Sequence, residues 1–171
     1  MIEFQLKTCR LRPWKQGDEQ SLVRYADNKK IWQNVRDHFP YPYTPADAQR
    51  WIFHASTALF DKVFAIEVNG EAAGSIGLVP KEDVYRKSME IGYWLGEPFW
   101  GKGIVTEAVG RVTAYGFETF DINRMYADIF EWNPASARVL EKNGYLFEAR
   151  LKKAVIKDDR IGDVLIYSKL K

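Results

Sequence analysis

Between Phe99 and Val112 the sequence reads FWGKGIVTEAVGRV, two glycines one lysine apart ahead of a run with helical character. The chemistry such a stretch can do is anion binding. The first turn of an α-helix leaves about four backbone N–H groups without partners, and the aligned peptide dipoles place roughly half a positive charge there. Gly101 and Gly103 let the main chain approach a phosphate without Cβ interference, and Lys102 adds a cation. A plain turn before a helix is the competing reading. Two nucleotide-binding patterns fit worse. Lys102 is followed by Gly103 where a P-loop needs Ser or Thr, and the third glycine and later acidic residue of a dinucleotide fingerprint are missing. Glu107, next in the helix, reads as a first-turn stabiliser. Cys9 is the only cysteine, which leaves no disulfide, thiolate zinc cage or redox pair; no metal is expected, and a reducing cytoplasm is the natural setting.

The elements that must position this loop follow from periodicity. Residues 4–14 read as one strand ending at Pro13, and residues 19–26 as a helix after the break at Gly17 and Asp18. Thr44 is a suitable N-cap and Pro45 a suitable first residue for a second helix, in which Ala48, Trp51, Ile52, Ala55 and Leu59 recur at helical spacing. The run KVFAIEVNGEAAGSIGLVP reads as a hairpin turning at Asn69-Gly70. Residues 89–95 alternate as a strand with Gly92 inside it. After the loop, Val105, Ala108, Val109, Val112 and Phe117 suggest the apolar stripe of a helix. Residues 124–130 form a strand, 134–143 a helix stopped at Asn143-Gly144, and 145–156 and 164–170 two closing strands joined around 157–160. The expected fold is one α/β domain over residues 1–171.

Composition narrows the classes. With 171 residues, 46% hydrophobic and 28% charged, the chain can build a core, and a net charge of +2 spread along the sequence does not argue for nucleic acid. No apolar run approaches membrane-spanning length, and the N-terminus is unlike a signal peptide. Neither a nucleic-acid nor a membrane partner is expected.

The segment EIGYWLGEPFWGKGIVTEAV, followed by EWNPASARVLEKNGYLFEARLKK, resembles the GCN5-related N-acetyltransferases, in particular the branch of the ribosomal-protein N-terminal acetyltransferases RimJ and RimL. TPADAQRWI and DDRIGDVLIYSKL also look like that branch, so the resemblance covers nearly the whole chain. It implies the GNAT fold: a mixed, mostly antiparallel sheet of about seven strands, splayed between the fourth and fifth and flanked by about four helices. It also implies acetyl-CoA as cosubstrate, a primary amine as acceptor, and a monomer or homodimer.

Carried over residue by residue, the resemblance assigns the diphosphate of the coenzyme to Trp100, Gly101, Lys102, Gly103, Ile104, Val105 and Thr106. Trp100 replaces the polar first residue of the superfamily pattern, and Val105 a small one. Tyr93, Trp94 and Leu95 would offer backbone groups to the pantetheine arm and the acetyl carbonyl. Asn133 matches the asparagine that binds pantetheine, although its residue type also suits a helix cap. Ser136 matches the serine of the N-x-x-S pattern and is the candidate to protonate the leaving thiolate. Many members carry a tyrosine acid where this chain has Leu140, and Tyr145 belongs to the core. Glu90 is the candidate general base, acting directly or through water. Family members place a substrate loop at NVRDHFPYPYTP, where Arg36, His38, Phe39, Tyr41 and Tyr43 combine charge with rigid aromatics. A noncatalytic acyl-CoA-binding module on the same fold is the alternative, and a nucleotide-dependent phosphotransferase a third reading.

Overall fold

The structure is a computed structural model and describes residues 2–57 and 63–171. Leu59, expected at the end of the second helix, and Lys62, expected to open the hairpin, lie outside the described residues. Among those described, eight strands form one sheet: β1 (Phe4–Gln5), β2 (Arg10–Arg12), β3 (Val63–Val68), β4 (Glu71–Pro80), β5 (Ser88–Leu95), β6 (Arg124–Phe130), β7 (Leu146–Lys157) and β8 (Arg160–Leu170). Their order is β1-β2-β3-β4-β5-β6-β8-β7. Five α-helices accompany them: α1 (Glu19–Ala26), α2 (Lys29–Trp32), α3 (Pro45–Thr57), α4 (Ile104–Thr119) and α5 (Pro134–Lys142). No described helix is long and apolar enough to cross a membrane.

The sheet is mostly antiparallel, as expected, and β5 pairs with β6 in parallel. That parallel register consists of Ser88↔Arg124, Met89↔Met125 and Glu90↔Tyr126, although β5 runs on to Leu95 and β6 to Phe130. Eight strands replace the expected seven because residues 4–14 do not form one strand. Leu6 N–H donates to the Cys9 carbonyl (2.9 Å), and the chain doubles back to pair Phe4 with Leu11 and Gln5 with Arg10.

Local rules account for most boundaries. Thr44 Oγ1 accepts from Asp47 N–H (3.3 Å) while Asp47 Oδ2 accepts from Thr44 N–H (2.8 Å), a reciprocal box that starts α3 at Pro45. Asn69 and Gly70 take φ of 53° and 83°, the primed turn of the β3–β4 hairpin. The last hairpin turns tighter than expected, because Asp158 and Asp159 both adopt positive φ (50° and 59°) and let pairing continue to Lys157↔Arg160. The edge strand β7 is mostly exposed, and two register shifts interrupt its pairing with β8, a device that blunts an open edge. The buried face of α4 also differs. It is Ile104, Ala108, Val109, Val112 and Tyr115, while Val105 and Phe117 are half-buried, because the helix begins at Ile104 and the stripe counts from there.

The chain comprises two compact units: Met1–Gly77 with Tyr93–Ala108, and Leu78–Gly92 with Val109–Lys171. In the first, Trp14, Leu22, Ala26, Tyr43, Ala48, Ile52, Ala65 and Ala72 form a core cluster to which Phe39, Trp51 and Trp94 add partly buried rings. In the second, Met125 is fully buried against Gly116 of α4, and the Tyr145 hydroxyl meets Thr113 Oγ1 at 2.8 Å.

One contact in the first unit fixes the end of β5. A Cβ added at Gly74 would lie 2.4 Å from the Trp94 carbonyl oxygen and 3.0 Å from Leu95 Cα. Both neighbours are main chain and cannot rotate away. Gly74→Ala is expected to cost about 1–3 kcal/mol by overpacking, seen as a lower urea midpoint at unchanged m-value.

Candidate functional site

The loop from β5 to α4 lies within the first unit. Gly96 N–H donates to the Ala73 carbonyl (2.8 Å), and a 3-10 turn over Glu97–Phe99 follows. The Trp100 indole Nε1–H then donates to the Leu95 carbonyl (2.6 Å), closing the loop back on the strand end. Trp100 stays 43% exposed, so its contribution to the loop is this bond rather than burial. Gly101 and Gly103 have φ of 74° and 78°, and nothing lies within 4 Å of a Cβ built on either. The glycines are needed for the left-handed backbone, and the space in front of them is open. Glu97 braces the turn by accepting from Asn28 Nδ2 (2.8 Å) and pairing with Lys30. Lys102 is exposed, its Nζ 5.6 Å from the Phe99 ring centroid. At the end of this braced loop, Ile104, Val105 and Thr106 are the first residues of α4, at the positive end of its helix dipole. Backbone donors, a helix dipole and a lysine together suit a phosphate.

Just before the loop, the carbonyls of Trp94 and Leu95 both have close neighbours. That of Trp94 faces Gly74 of β4, and that of Leu95 accepts from Trp100. Tyr93 is half-buried.

The second unit holds Glu90, Asn133 and Ser136. Glu90 is 7% exposed and its Oε2 lies 2.7 Å from Lys81 Nζ. Lys81 Nζ is also 5.5 Å from the Tyr126 ring centroid. Burial lowers the Lys81 pKa, but hydrogen bonds and charge from Glu90 and Tyr126 outweigh it and leave the ammonium above its ordinary value. Asn133 does cap α5, its Oδ1 accepting from Ser136 N–H (3.2 Å). Ser136 is buried in the first turn behind Pro134. Tyr145 is 1% exposed, and burial pushes its phenol up to about 12 despite the Thr113 hydrogen bond, so it is a core group and a poor proton donor.

The profile of the acetyltransferase (GNAT) domain matches residues 9–146. The chain belongs to the GNAT acetyltransferase family. It is 35% identical over 103 residues to YdaF of Bacillus subtilis strain 168, covering 60% of this chain and 56% of that one. It is 31% identical over 111 residues to the ribosomal-protein-serine acetyltransferase of Escherichia coli K12, covering 65% and 62%. The chain thus spans less than two thirds of the length of these curated relatives. Among solved structures, RimL, a ribosomal L7/L12 α-N-protein acetyltransferase in complex with coenzyme A, superposes with a TM-score of 0.84 at 24% identity, over 96% of this chain and 95% of that one. That likeness shows a GNAT fold.

The segment where GNAT members place a substrate loop divides by burial. Phe39 and Tyr43 turn inward. Phe39 packs on Tyr43 (5.0 Å between centroids) and edge-on to Trp94 (5.5 Å), and the Tyr43 N–H donates to Asp27 Oδ1 (3.0 Å). Burial pushes the Tyr43 phenol up to about 12, which keeps it neutral. Arg36, His38 and Tyr41 remain exposed, with Tyr41 beside Trp32 (5.7 Å). Phe39 therefore connects the exposed part of the loop to Trp94 on β5.

Sequence reasoning missed three contributors. Lys81 was legible only through hairpin register, since Lys81 N–H donates to the Ser88 carbonyl (3.1 Å) and brings its side chain beside Glu90. The Trp100 bond to Leu95 had no sequence signal, because an indole after a turn is equally a packing group. The third is the place Glu107 takes. It does stand in the first turn of α4, but its carboxylate accepts from Lys7 and Thr8.

Proposed function

We propose that this chain transfers the acetyl group of acetyl-CoA to a primary amine within a ternary complex. The observation that carries the proposal is the loop ahead of α4, in which Gly101 and Gly103 take left-handed φ in a chain of the GNAT acetyltransferase family. The amides of residues 101–106 and Lys102 hold the diphosphate of the coenzyme, and Trp100 keeps that loop on the end of β5. Backbone groups of residues 93–95 pair with pantetheine. Asn133 engages its oxygen in the α5 cap, so its Nδ2 is the end that donates to a pantetheine carbonyl.

In the reaction the amine nitrogen attacks the acetyl carbonyl carbon to give a tetrahedral intermediate, and Glu90, directly or through water, takes the proton that nitrogen loses. Collapse breaks the carbon–sulfur bond, and the sulfur leaves as thiolate or receives a proton from Ser136. A thiol with an ordinary pKa near 8.5 leaves without a strong acid, which fits Leu140 in place of the usual tyrosine. Cys9 is not a covalent carrier: it is buried, and desolvation pushes its thiol up to about 11.

The acceptor we favour is a protein N-terminal α-amine, supported by the relatives and neighbours named for ribosomal-protein acetylation. A more distant match to the spermidine N(1)-acetyltransferase of Escherichia coli K12, 25% identical over 84% of this chain and 76% of that one, keeps polyamines in the comparison. The exposed Arg36, His38 and Tyr41 are the residues we assign to acceptor choice, above the inward Phe39 and Tyr43.

The deciding experiment is calorimetry with acetyl-CoA followed by a thiol-release screen over N-terminal peptides, polyamines, aminoglycosides and amino acids. Binding in the micromolar range and turnover on one class are expected. Absence of binding would end the proposal. Binding without turnover on any amine would favour the noncatalytic acyl-CoA module, a reading to which the Glu90–Lys81 ion pair and the missing tyrosine lend support.

A further inference from the structure

Glu107 stands in the first turn of α4, where a carboxylate is favoured by the helix dipole but opposes any anion bound at the same end. Its carboxylate is directed elsewhere. Oε1 accepts from Lys7 N–H (2.9 Å), and Oε2 accepts from both Thr8 N–H (3.0 Å) and Thr8 Oγ1–H (2.6 Å). These donors form the turn between β1 and β2, closed by the bond from Leu6 to Cys9. Burial raises the carboxyl pKa, but the bonds from Thr8 and Lys7 outweigh it and hold the group below the usual carboxylate range. The same bonds explain why residues 4–14 break into two strands: the amides of residues 7 and 8 serve a side chain one hundred positions away instead of a ladder.

We infer that Glu107 is a positioning residue for the acyl-CoA diphosphate: bound to the β1–β2 turn, its carboxylate fixes the first turn of α4 and withdraws its own charge from the ligand. The inference rests on the acyl-CoA reading given above. It makes a prediction of sign. If Glu107 were only a negative charge near an anion site, neutralising it would tighten binding. If it anchors the cradle, neutralising it loosens binding, because glutamine keeps one acceptor oxygen and sets an NH2 donor against the N–H that the other carboxylate oxygen accepted.

The test compares wild type, Glu107→Gln and Thr8→Val by calorimetry with coenzyme A and by kinetics with acetyl-CoA and with S-acetylpantetheine, which lacks the diphosphate. For Glu107→Gln the coenzyme A Kd and the acetyl-CoA KM are expected to rise about tenfold, as for loss of two charge-assisted bonds. The loss should fall on KM rather than kcat, and the S-acetylpantetheine KM should not follow it. Thr8→Val removes one donor while the charge stays, and a rise of about threefold is expected. This variant decides the matter if Glu107→Gln does not fold. An unchanged or lower Kd in the folded variants, or equal losses with both donors, overturns the inference. Failure of the wild type to bind coenzyme A overturns it along with the reading beneath it, and is distinguished by that control.

Discussion

Glu90→Gln is expected to lower kcat by about a hundredfold or more, the range for removing a general base, while the acetyl-CoA KM stays within about twofold of wild type. The reason for the separation is placement. Glu90 belongs to β5 ahead of the loop proposed to hold the diphosphate, and its carboxylate makes an ion pair with Lys81. The substitution keeps shape and removes the proton acceptor. Its structural cost is small, because the Lys81 side chain is 29% exposed and its ammonium can turn to water when the carboxylate goes. Activity should therefore fall without a matching fall in thermal midpoint. Ser136→Ala is the companion variant, with a smaller expected loss, since water can protonate a departing thiolate. Full activity in Glu90→Gln would remove Glu90 from the mechanism and leave the fold and the coenzyme loop untouched. An intermediate result has a direct check: if Lys81 restrains the carboxylate, Lys81→Met should change turnover in a variant that still carries Glu90 and leave Glu90→Gln unaffected.

The largest loss of stability is expected from Arg12→Ala. The Arg12 side chain is 4% exposed and donates Nη1 to Asp18 Oδ2 and Nη2 to Asp18 Oδ1, both at 2.8 Å, while Nε pairs with Glu67. Nη1 also reaches the Pro13 carbonyl (3.0 Å), and Asp18 Oδ2 further accepts from Lys15 N–H (3.1 Å). One guanidinium thus joins β2, the start of α1 and β3 within the first unit. Removing it leaves two carboxylates with little access to water and no cation, which costs about 3–5 kcal/mol. A urea titration should show the midpoint falling with little change in slope. Arg12→Lys is expected to recover only part of this, since an ammonium cannot present the parallel pair of donors that Asp18 accepts. A loss below about 1 kcal/mol in Arg12→Ala would place the pair among exposed ion pairs of little consequence, against its burial.

Much of the architecture could be read from local pattern. Asn69-Gly70, the Thr44-Pro45 start, the cap at Asn133 and the stop at Gly144 are decided by backbone propensity within a few residues, and each appears where the sequence puts it. The candidate loop was legible for the same reason: glycines that must take positive φ, placed directly before a helix, describe an anion site without reference to the rest of the chain.

What local pattern did not contain was any choice between partners far apart in the chain. A single strand over residues 4–14 was the simplest reading of its alternation, and only Glu107, arriving from α4, makes a turn at Lys7 and Thr8 the better arrangement. The apolar stripe of α4 shifted because burial is set by what the helix packs against, not by its own period alone. Glu90 looked like an isolated strand carboxylate until the β4–β5 hairpin brought Lys81 to it. By itself, then, the sequence determined the order of the elements after the first strand, the candidate anion loop and the family likeness, because backbone geometry and short motifs are local properties. Only the tertiary structure decided which charges are paired, which aromatics of the substrate loop turn inward and what holds the loop in place, because hydrogen bonds and burial depend on residues that distance along the chain conceals.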